Sequence, residues 1–576
     1  MNCLIHRSMI WCGAALLALC ATWAHSAAPT QVLRFSEPLQ GEFKAGETSN
    51  FSFDVQAAQF VHGLIDSPVA NGLTGQVIEP NGRTLRVTHG GLVAFVARER
   101  GRYELRLTNS TGQAGAFSLT LSTTPVLAAA SPAARQILSP RLQAQADRLA
   151  AGDADTTAFW SVIAKEGTPL IEKQGNDFLV TLLWRGDAHT DSVKVTWSLF
   201  HVAPVIDLAR LGRSDIWFRS FRFAPGTRFS YQMMPDAPVV QGPAMVRALA
   251  LMSVAQADPL HHESARPGAD ARPASMSVVQ LPPRIAPSEW TAARPDVPKG
   301  QVSAFQLNSE STGSSRRISV YTPPDYRQKC GPYGLLVLLD GSAYQTMIPV
   351  PTILDNLIAA RRIEPLIAVF VDNPSVEGRA ADMYPNAAFT KFVASELMGR
   401  IREQFAVTRE PGRVAIGGFS LGGLAATHIA WRRPEIFGAV LSQSGSFWWS
   451  NAAIKAGRGD PILTEGPLLD PRIESFELVS MMANAPKVPI RLYLQAGLYE
   501  GDLLTGNRFM KDVLSAKGYQ FQYQEFPGGH DAIFWRESFA DGLLSLMGTR
   551  GASSAASCGS GVGARAAGAQ ASVPRR

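Results

Sequence analysis

The chain has 576 residues, 46% of them hydrophobic and 18% Asp, Glu, Lys or Arg, with a formal charge of +6 at pH 7. That is the composition of an ordinary globular protein, long enough for roughly three or four domains. So mild a charge does not point to nucleic acid, and no basic stripe interleaved with aromatics is found, so no nucleic-acid partner is expected. In chain order, "MNCLIHRSMIWCGAALLALCATWAHSAAPTQ" has the early arginine, apolar core and small-residue end of a secretory signal peptide. It is assigned to residues 1–27, with cleavage after Ser26 or Ala27 and a periplasmic destination. The apolar run is short for a membrane span. Cys20 follows Leu19, which is the wrong size for the usual lipid-attachment box, and no transmembrane segment is expected once the signal is removed.

Residues 30–124 read as all-β. Short alternating runs such as "SNFSFDVQ", "GLVAFVA" and "GRYELRLTN" are separated by turn residues, Asn81-Gly82 being a hairpin signal. They predict a small β-sandwich. Residues 125–153 are Ala-rich and linker-like, and 154–240 are again β-rich, with Trp184, Trp197, Trp217 and Phe221 assigned to its core rather than to a ligand platform. Residues 241–300 predict a Pro/Ala-rich connector on the surface, in which His261 and His262 are solvated. From 301 to 549 strands alternate with helical stretches. "RRISVYTP", "GLLVLLD", "LIAVFVD", "RVAIGG", "GAVLSQSG", "IRLYLQAG" and "YQFQYQEF" are the strands, several continuously apolar as in buried parallel sheets. Residues 550–576 are low in complexity and predicted to be disordered.

The run "VAIGGFSLGGLAATHIAW" (414–431) places Gly418-Phe419-Ser420-Leu421-Gly422 between a β-prone segment and a helical one. Strand, tight turn and helix are the setting a nucleophile elbow requires. Its serine needs a base. His428 lies eight residues along the helix, about 12 Å by helical rise, which is too far. His530, in "FPGGHDAIFW" after a late strand, suits the order serine, acid, histidine. The loop "LYEGD" after "IRLYLQAG" offers Glu500 or Asp502 as the acid. The oxyanion hole is assigned to the N–H of Leu421 and to one from Gly341 or Ser342, after the strand ending at Asp340. These readings agree on an α/β-hydrolase, a doubly wound and mostly parallel sheet, preceded by two all-β sandwich-like domains. Cys3, Cys12 and Cys20 belong to the signal, which leaves Cys330 and Cys558 as the one pair that could form. No Cys/His cluster has zinc spacing, so neither a metal nor another cofactor is expected.

Beyond the elbow, "LSQSGSFWW" (441–449), "GGHDAIFWR" (528–536), "GRAADMYPNAAF" (378–389), "FWSVIAKEGTPLIE", "SDIWF" and "QADPLHHES" give the chain from about 155 to 549 its likeness. It resembles the bacterial enterochelin (enterobactin) esterases, which are esterase D-like α/β-hydrolases with an N-terminal β-domain. Residues 30–124 lie outside this likeness and resemble, in pattern only, the prepeptidase C-terminal type of domain. The resemblance implies Ser420 as nucleophile, His530 as base and Glu500, rather than Asp502, as the acid. It puts Arg379 and Asn386 at the pocket. Asp382 stands where the family has a glutamate, Met383 where it has leucine and Leu421 where phenylalanine is frequent. The implied substrate is a cyclic trilactone of 2,3-dihydroxybenzoyl-serine carrying ferric iron. Arg379 could pair with this trianion, while Trp448 and Trp449 either stack on its catechol rings or close the core beneath the elbow. Two alternatives remain: a feruloyl or acetyl-xylan type of esterase, and a binding protein on an inactive hydrolase scaffold.

Overall fold

A computed structural model describes residues 30–549, apart from 68, 70–71, 90, 129–133, 200–204, 263, 266–275, 285 and 456–474. The expected signal segment with Cys20, and residues 550–576 with Cys558, lie outside the described residues; Cys330 is disulfide-bonded. The chain divides into two compact units, most of residues 30–123 forming the first and Thr124 onward the second. The first unit is β. One sheet holds Gln31–Val32, Thr48–Val55, Gly101–Asn109, Leu73–Ile78 and Thr84–His89 in that spatial order, and Leu39–Phe43 pairs separately with Gly115–Leu127. Asn81-Gly82 makes the hairpin turn, with Gly82 at φ +85° and the Asn81 side chain accepting from the Arg83 N–H at 2.9 Å. Phe43 stacks on Phe117 at 4.1 Å, and Phe51 meets Phe117 edge-on at 5.9 Å.

In the second unit the Ala-rich linker contains a helix, Pro140–Ala150, capped by the Ser139 side chain. Two antiparallel sheets follow. One is Leu170–Gln174, Asp177–Arg185, Ile216–Phe223 and Ala209–Arg210; the other runs Val205–Asp207, Val193–Trp197, Arg228–Pro235, Met276–Gln280 and Ser264–Ala265. Trp197 and Trp217 are buried in the core of this region, with Trp184 and Phe221 packed against it. The stretch 241–300 is more than a surface connector. Its "MSVVQ" at Met276–Gln280 is a β-strand of the second sheet, and Val278 and Val279 are buried. Nor is His261 solvated: its ring bridges the carbonyls of Thr168 and Val278, while His262 reaches the Ala164 carbonyl at 3.1 Å. Proline and alanine content masked a strand only five residues long.

The catalytic region is one sheet of eight strands: β1 Gln301–Asn308, β2 Ser315–Thr322, β3 Gly334–Leu339, β4 Leu366–Val371, β5 Val414–Phe419, β6 Ala439–Gln443, β7 Arg491–Gly497 and β8 Gln520–Phe526. Their spatial order is β1-β2-β4-β3-β5-β6-β7-β8, antiparallel at β1–β2 and β2–β4 and parallel thereafter. All six residues of β3 are buried, whereas none of β1 is. At about 1.5–3 kcal/mol per buried aliphatic side chain, β3 can lie only in the centre. The polar β1 runs along an edge, and its weak apolar pattern hid it from the sequence reading. Leu335, Val337 and Leu339 pack on one face with Leu424 and Ile429. Leu336 and Leu338 pack on the other with Phe539 and Leu543. Helices therefore cover both faces, and the residues following β3, β5, β7 and β8 gather at the sheet's carboxyl edge, where doubly wound folds place their sites.

Candidate active site

Ser420 joins β5 to helix α1 (Leu421–Arg432) at φ 56° and ψ −124°. A non-glycine residue rarely takes this conformation and holds it only where the surroundings enforce it. They do so here through the backbone. The Ser420 N–H donates to the Gln443 carbonyl at 2.9 Å, and the Ser420 carbonyl accepts from the N–H groups of Gly423, Leu424 and Ser446 at 3.0–3.2 Å. Gly418 is required by the same turn, since a Cβ there would lie 2.4 Å from the Gly422 backbone. Leu421 opens α1, whose first N–H groups have no acceptor within the helix. The Ser446 hydroxyl, itself buried, lies 3.5 Å from the Ser420 Oγ.

Glu500 follows β7 and is fully buried. Its Oε1 lies 3.5 Å from the His530 Nδ1. That exceeds an ordinary N–H···O bond, and such contacts in substrate-free hydrolases commonly tighten when substrate binds. The same Oε1 accepts from the Ser444 hydroxyl at 2.6 Å, and that hydroxyl accepts from the Trp535 Nε1–H at 2.9 Å. Asp502 is the first residue of helix α2 (Asp502–Ala516), where a carboxylate complements the helix dipole. The Glu500 carboxylate is thus within 3.5 Å of the histidine ring. His530 stands between β8 and helix α3 (Ala532–Met547). Its ring meets Trp535 edge-on at 4.8 Å, and Trp535 stacks on Phe419 at 4.6 Å. One indole therefore touches the residue before Ser420, the imidazole of His530 and, through Ser444, the carboxylate of Glu500. Ser444, Ser446 and Trp535 were not singled out from the sequence, although "SQSGS", a polar run directly after a buried strand, was a signal available there.

Other residues are placed differently from expectation. The Gly341 N–H donates to the Val371 carbonyl at 2.9 Å, so it belongs to the sheet edge and does not face an oxyanion. The Ser342 N–H is turned to the Asp372 carboxylate, whose pKa is nevertheless raised by burial. Asn386 caps the helix Ala387–Lys391 through its Oδ1, and its Nδ2 donates to the carbonyls of Ala381, Asp382 and Tyr384 at 2.7–3.0 Å. An amide engaged in this way holds a chain reversal rather than a substrate. Trp448 and Trp449 are 1% and 2% exposed and pack in separate core clusters, so neither offers a face to a catechol. Arg379 sits beside the elbow, with its Nε and one terminal nitrogen on the two oxygens of Asp340 at 2.7 and 2.8 Å and its guanidinium 6.0 Å above the Phe419 ring. Asp382 pairs with the buried Arg316 at 2.7 Å; burial raises its pKa and Arg316 opposes that rise. Its exchange for the family's glutamate therefore bears on this ion pair. His428 is buried 3.5 Å from the Thr390 hydroxyl, and its pKa is lowered from 6.5 to about 4 by burial and then by Arg432.

The strand order and the strained serine on its β5–α1 turn define an α/β-hydrolase-like domain. Two families match the chain: the one described as "Putative esterase" over residues 309–546, and "Enterochelin esterase, N-terminal" over 179–290. The chain is similar to the iron(III) enterobactin esterase of Dickeya dadantii strain 3937, at 27% identity over 69% of this chain and 94% of that protein. It is similar to the iron(III) salmochelin esterase of Escherichia coli O6:H1, at 28% identity over 70% of this chain and 96% of that protein. Among solved structures, the ferric enterobactin esterase of Salmonella typhimurium is 26% identical, with a TM-score of 0.52 over 68% of this chain and 98% of that one. The chain thus carries an esterase match and an enterochelin esterase N-terminal match in tandem, and it is a carboxylic ester hydrolase.

Proposed function

We propose that this chain opens the trilactone of a ferric catecholate siderophore of the enterobactin class, with Ser420 as nucleophile, His530 as base and Glu500 as the acid that orients it. One observation carries the reading: a strained serine and a Glu500–His530 pair share one sheet edge, in a chain whose likeness to siderophore esterases runs through both its β-region and its hydrolase domain. His530 takes the Ser420 proton as the hydroxyl attacks a lactone carbonyl. The Leu421 N–H stabilises the oxyanion, a contribution typically worth about 3 kcal/mol of barrier. His530 then protonates the leaving serine alkoxide and activates the water that releases the acyl group. Opening the ring removes the preorganisation that holds three catechols on one iron, so the metal is bound less tightly. Arg379, 6.0 Å above the Phe419 ring, is a cation beside the elbow for the anionic chelate. The N-terminal segment 1–27 is proposed to export the protein to the periplasm, and residues 30–124 to form an accessory β-sandwich of the prepeptidase C-terminal type. Among the described residues, no helix is long and apolar enough to cross a membrane.

The test is chromatography of ferric and iron-free enterobactin after incubation with the protein, beside Ser420→Ala. Linear trimer, dimer or monomer should appear only with the unmutated enzyme. An intact trilactone alongside Ser420 labelled by a phosphonate probe would leave a serine esterase with another substrate.

A further inference from the structure

The loops that carry His530 and Glu500 are not held by the hydrolase domain alone. The His530 main-chain N–H donates to the carbonyl of Ser198 at 2.7 Å. The next residue, Asp531, accepts through Oδ2 from both the N–H and the hydroxyl of Ser230, while its Oδ1 caps α3 by accepting from the Ile533 N–H. Upstream, the Arg228 N–H donates to the Pro527 carbonyl at 2.9 Å, and Arg228 and Gly528 form a parallel bridge. At Gly529 the approach is so close that a Cβ would fall 2.0 Å from the Ser198 carbonyl oxygen. On the acid side, the Tyr499 hydroxyl accepts from the Ala224 N–H and bonds the Thr227 hydroxyl, both at 3.2 Å, and its ring packs edge-on against Phe223. Ser198, Ala224, Thr227, Arg228 and Ser230 all belong to the β-region of residues 170–280. Asp531 and Ser230 are buried, so these bonds form where water does not compete for them.

We propose that this β-region is a positioning element of the hydrolase: Ser230 and Ser198 fix the histidine loop through Asp531 and Gly529, and the 224–227 turn fixes the acid loop through Tyr499. A base and an acid on two separate loops need a common reference if they are to meet a serine whose backbone is rigid. Misplacement of about 1 Å can lower turnover by roughly 100-fold. None of these clamp residues reaches the ester; they act through His530 and Glu500. The assignment rests on the Ser420–His530–Glu500 reading, and phosphonate labelling of Ser420 in the unmutated full-length protein is the control that separates the two.

The experiment is steady-state hydrolysis of a small neutral ester by full-length Asp531→Ala, Asp531→Asn and Tyr499→Phe, with a melting curve for each. Asp531→Ala should lower kcat about 10- to 100-fold with KM little changed, and slow phosphonate labelling of Ser420 in parallel. Asp531→Asn keeps one acceptor oxygen, enough for the α3 cap, but sets an NH2 against the Ser230 N–H, so it should restore only part of the rate. Tyr499→Phe, which keeps the ring and loses only the hydroxyl, should lower kcat by a few-fold without a change in KM, and it stands as the test if Asp531→Ala does not fold. Unchanged kcat in both Asp531→Ala and Tyr499→Phe would overturn the proposal, as would a rise in KM at constant kcat. If the unmutated protein neither turns over ester nor labels at Ser420, the triad reading itself falls.

Discussion

The elbow at 414–431 and the pocket segments at 378–389 and 448–449 stand in the fold in different ways. Around Ser420 the residue types answer to the backbone. A turn that puts a serine at φ 56° needs small neighbours, a strand before it and a helix after it, and all three requirements are written locally. In the pocket segments the residue types answer to packing. Asn386 and both tryptophans satisfy a chain reversal and two core clusters, and nothing in their spacing separates such roles from ligand contact. Local chemistry is legible where the backbone is strained, and ambiguous where a side chain suits either a core or a ligand.

The largest expected effect is on the elbow side. His530→Ala should lower kcat on the order of 10^4- to 10^6-fold, while the melting temperature changes little. Steady-state kinetics on any accepted ester checks this, and normal activity would remove His530 from the site. On the pocket side the signature should invert. Trp449→Ala should cost about 3–5 kcal/mol of stability, as truncation of a buried indole does, and denaturant titration measures it. Trp449→Phe should cost less than about 1.5 kcal/mol, because the buried Trp449 Nε1–H has no acceptor among the described residues. A catechol platform would behave in the opposite way, losing affinity for ferric substrate with little change in stability.

The same contrast explains how much could be read in advance. Seven of the eight catalytic strands announce themselves, β3 to β7 as largely apolar buried parallel strands and β2 and β8 by alternation; β1 does not, since it is an exposed antiparallel edge. Glu500 and His530 follow from chain order and loop position, but the choice of Glu500 over Asp502 needed the family likeness, because both carboxylates sit on one loop. Gly341 was misplaced because a strand-end N–H has two outlets, the oxyanion or the neighbouring strand, and only tertiary geometry shows it bonded to Val371. Ser198, Ser230 and Tyr499 lie far from the motif in sequence, so no local pattern could join them to it.

His428 sharpens the comparison from the helix that leads away from the elbow. Its pKa in the folded protein, about 4, is below the 6.5 of an unperturbed imidazole. The unfolded chain therefore takes up the proton first as pH falls. The stability contribution is complete above pH 6.5, is lost progressively toward pH 4, and amounts to about 3 kcal/mol at its fullest. His428→Leu should remove that part of the acid sensitivity between pH 6.5 and 4, read as the difference between the two denaturation profiles, while leaving most of the turnover intact. Loss of turnover equal to that of His530→Ala would make His428 part of the site.

The smallest effect belongs to Asn386, where the two readings of the pocket segment are most evenly matched before the structure is known. Its Oδ1 caps one short helix, and its Nδ2 gathers three carbonyls of the preceding turn. Loss of a cap is worth about 1 kcal/mol. Asn386→Ala should therefore lower stability by about 1–2 kcal/mol, with KM for a ferric substrate unchanged at temperatures well below melting. Asn386→Asp keeps the cap and loses the three donated bonds, so it should fall between the parent and the alanine variant. A substrate-binding asparagine would reverse the pattern: KM would rise in both variants and stability would hold. Because Arg379 lies on the helix Val376–Met383, just before this turn, a rise in KM confined to anionic substrates would show that Asn386 acts on the ligand through the placement of Arg379.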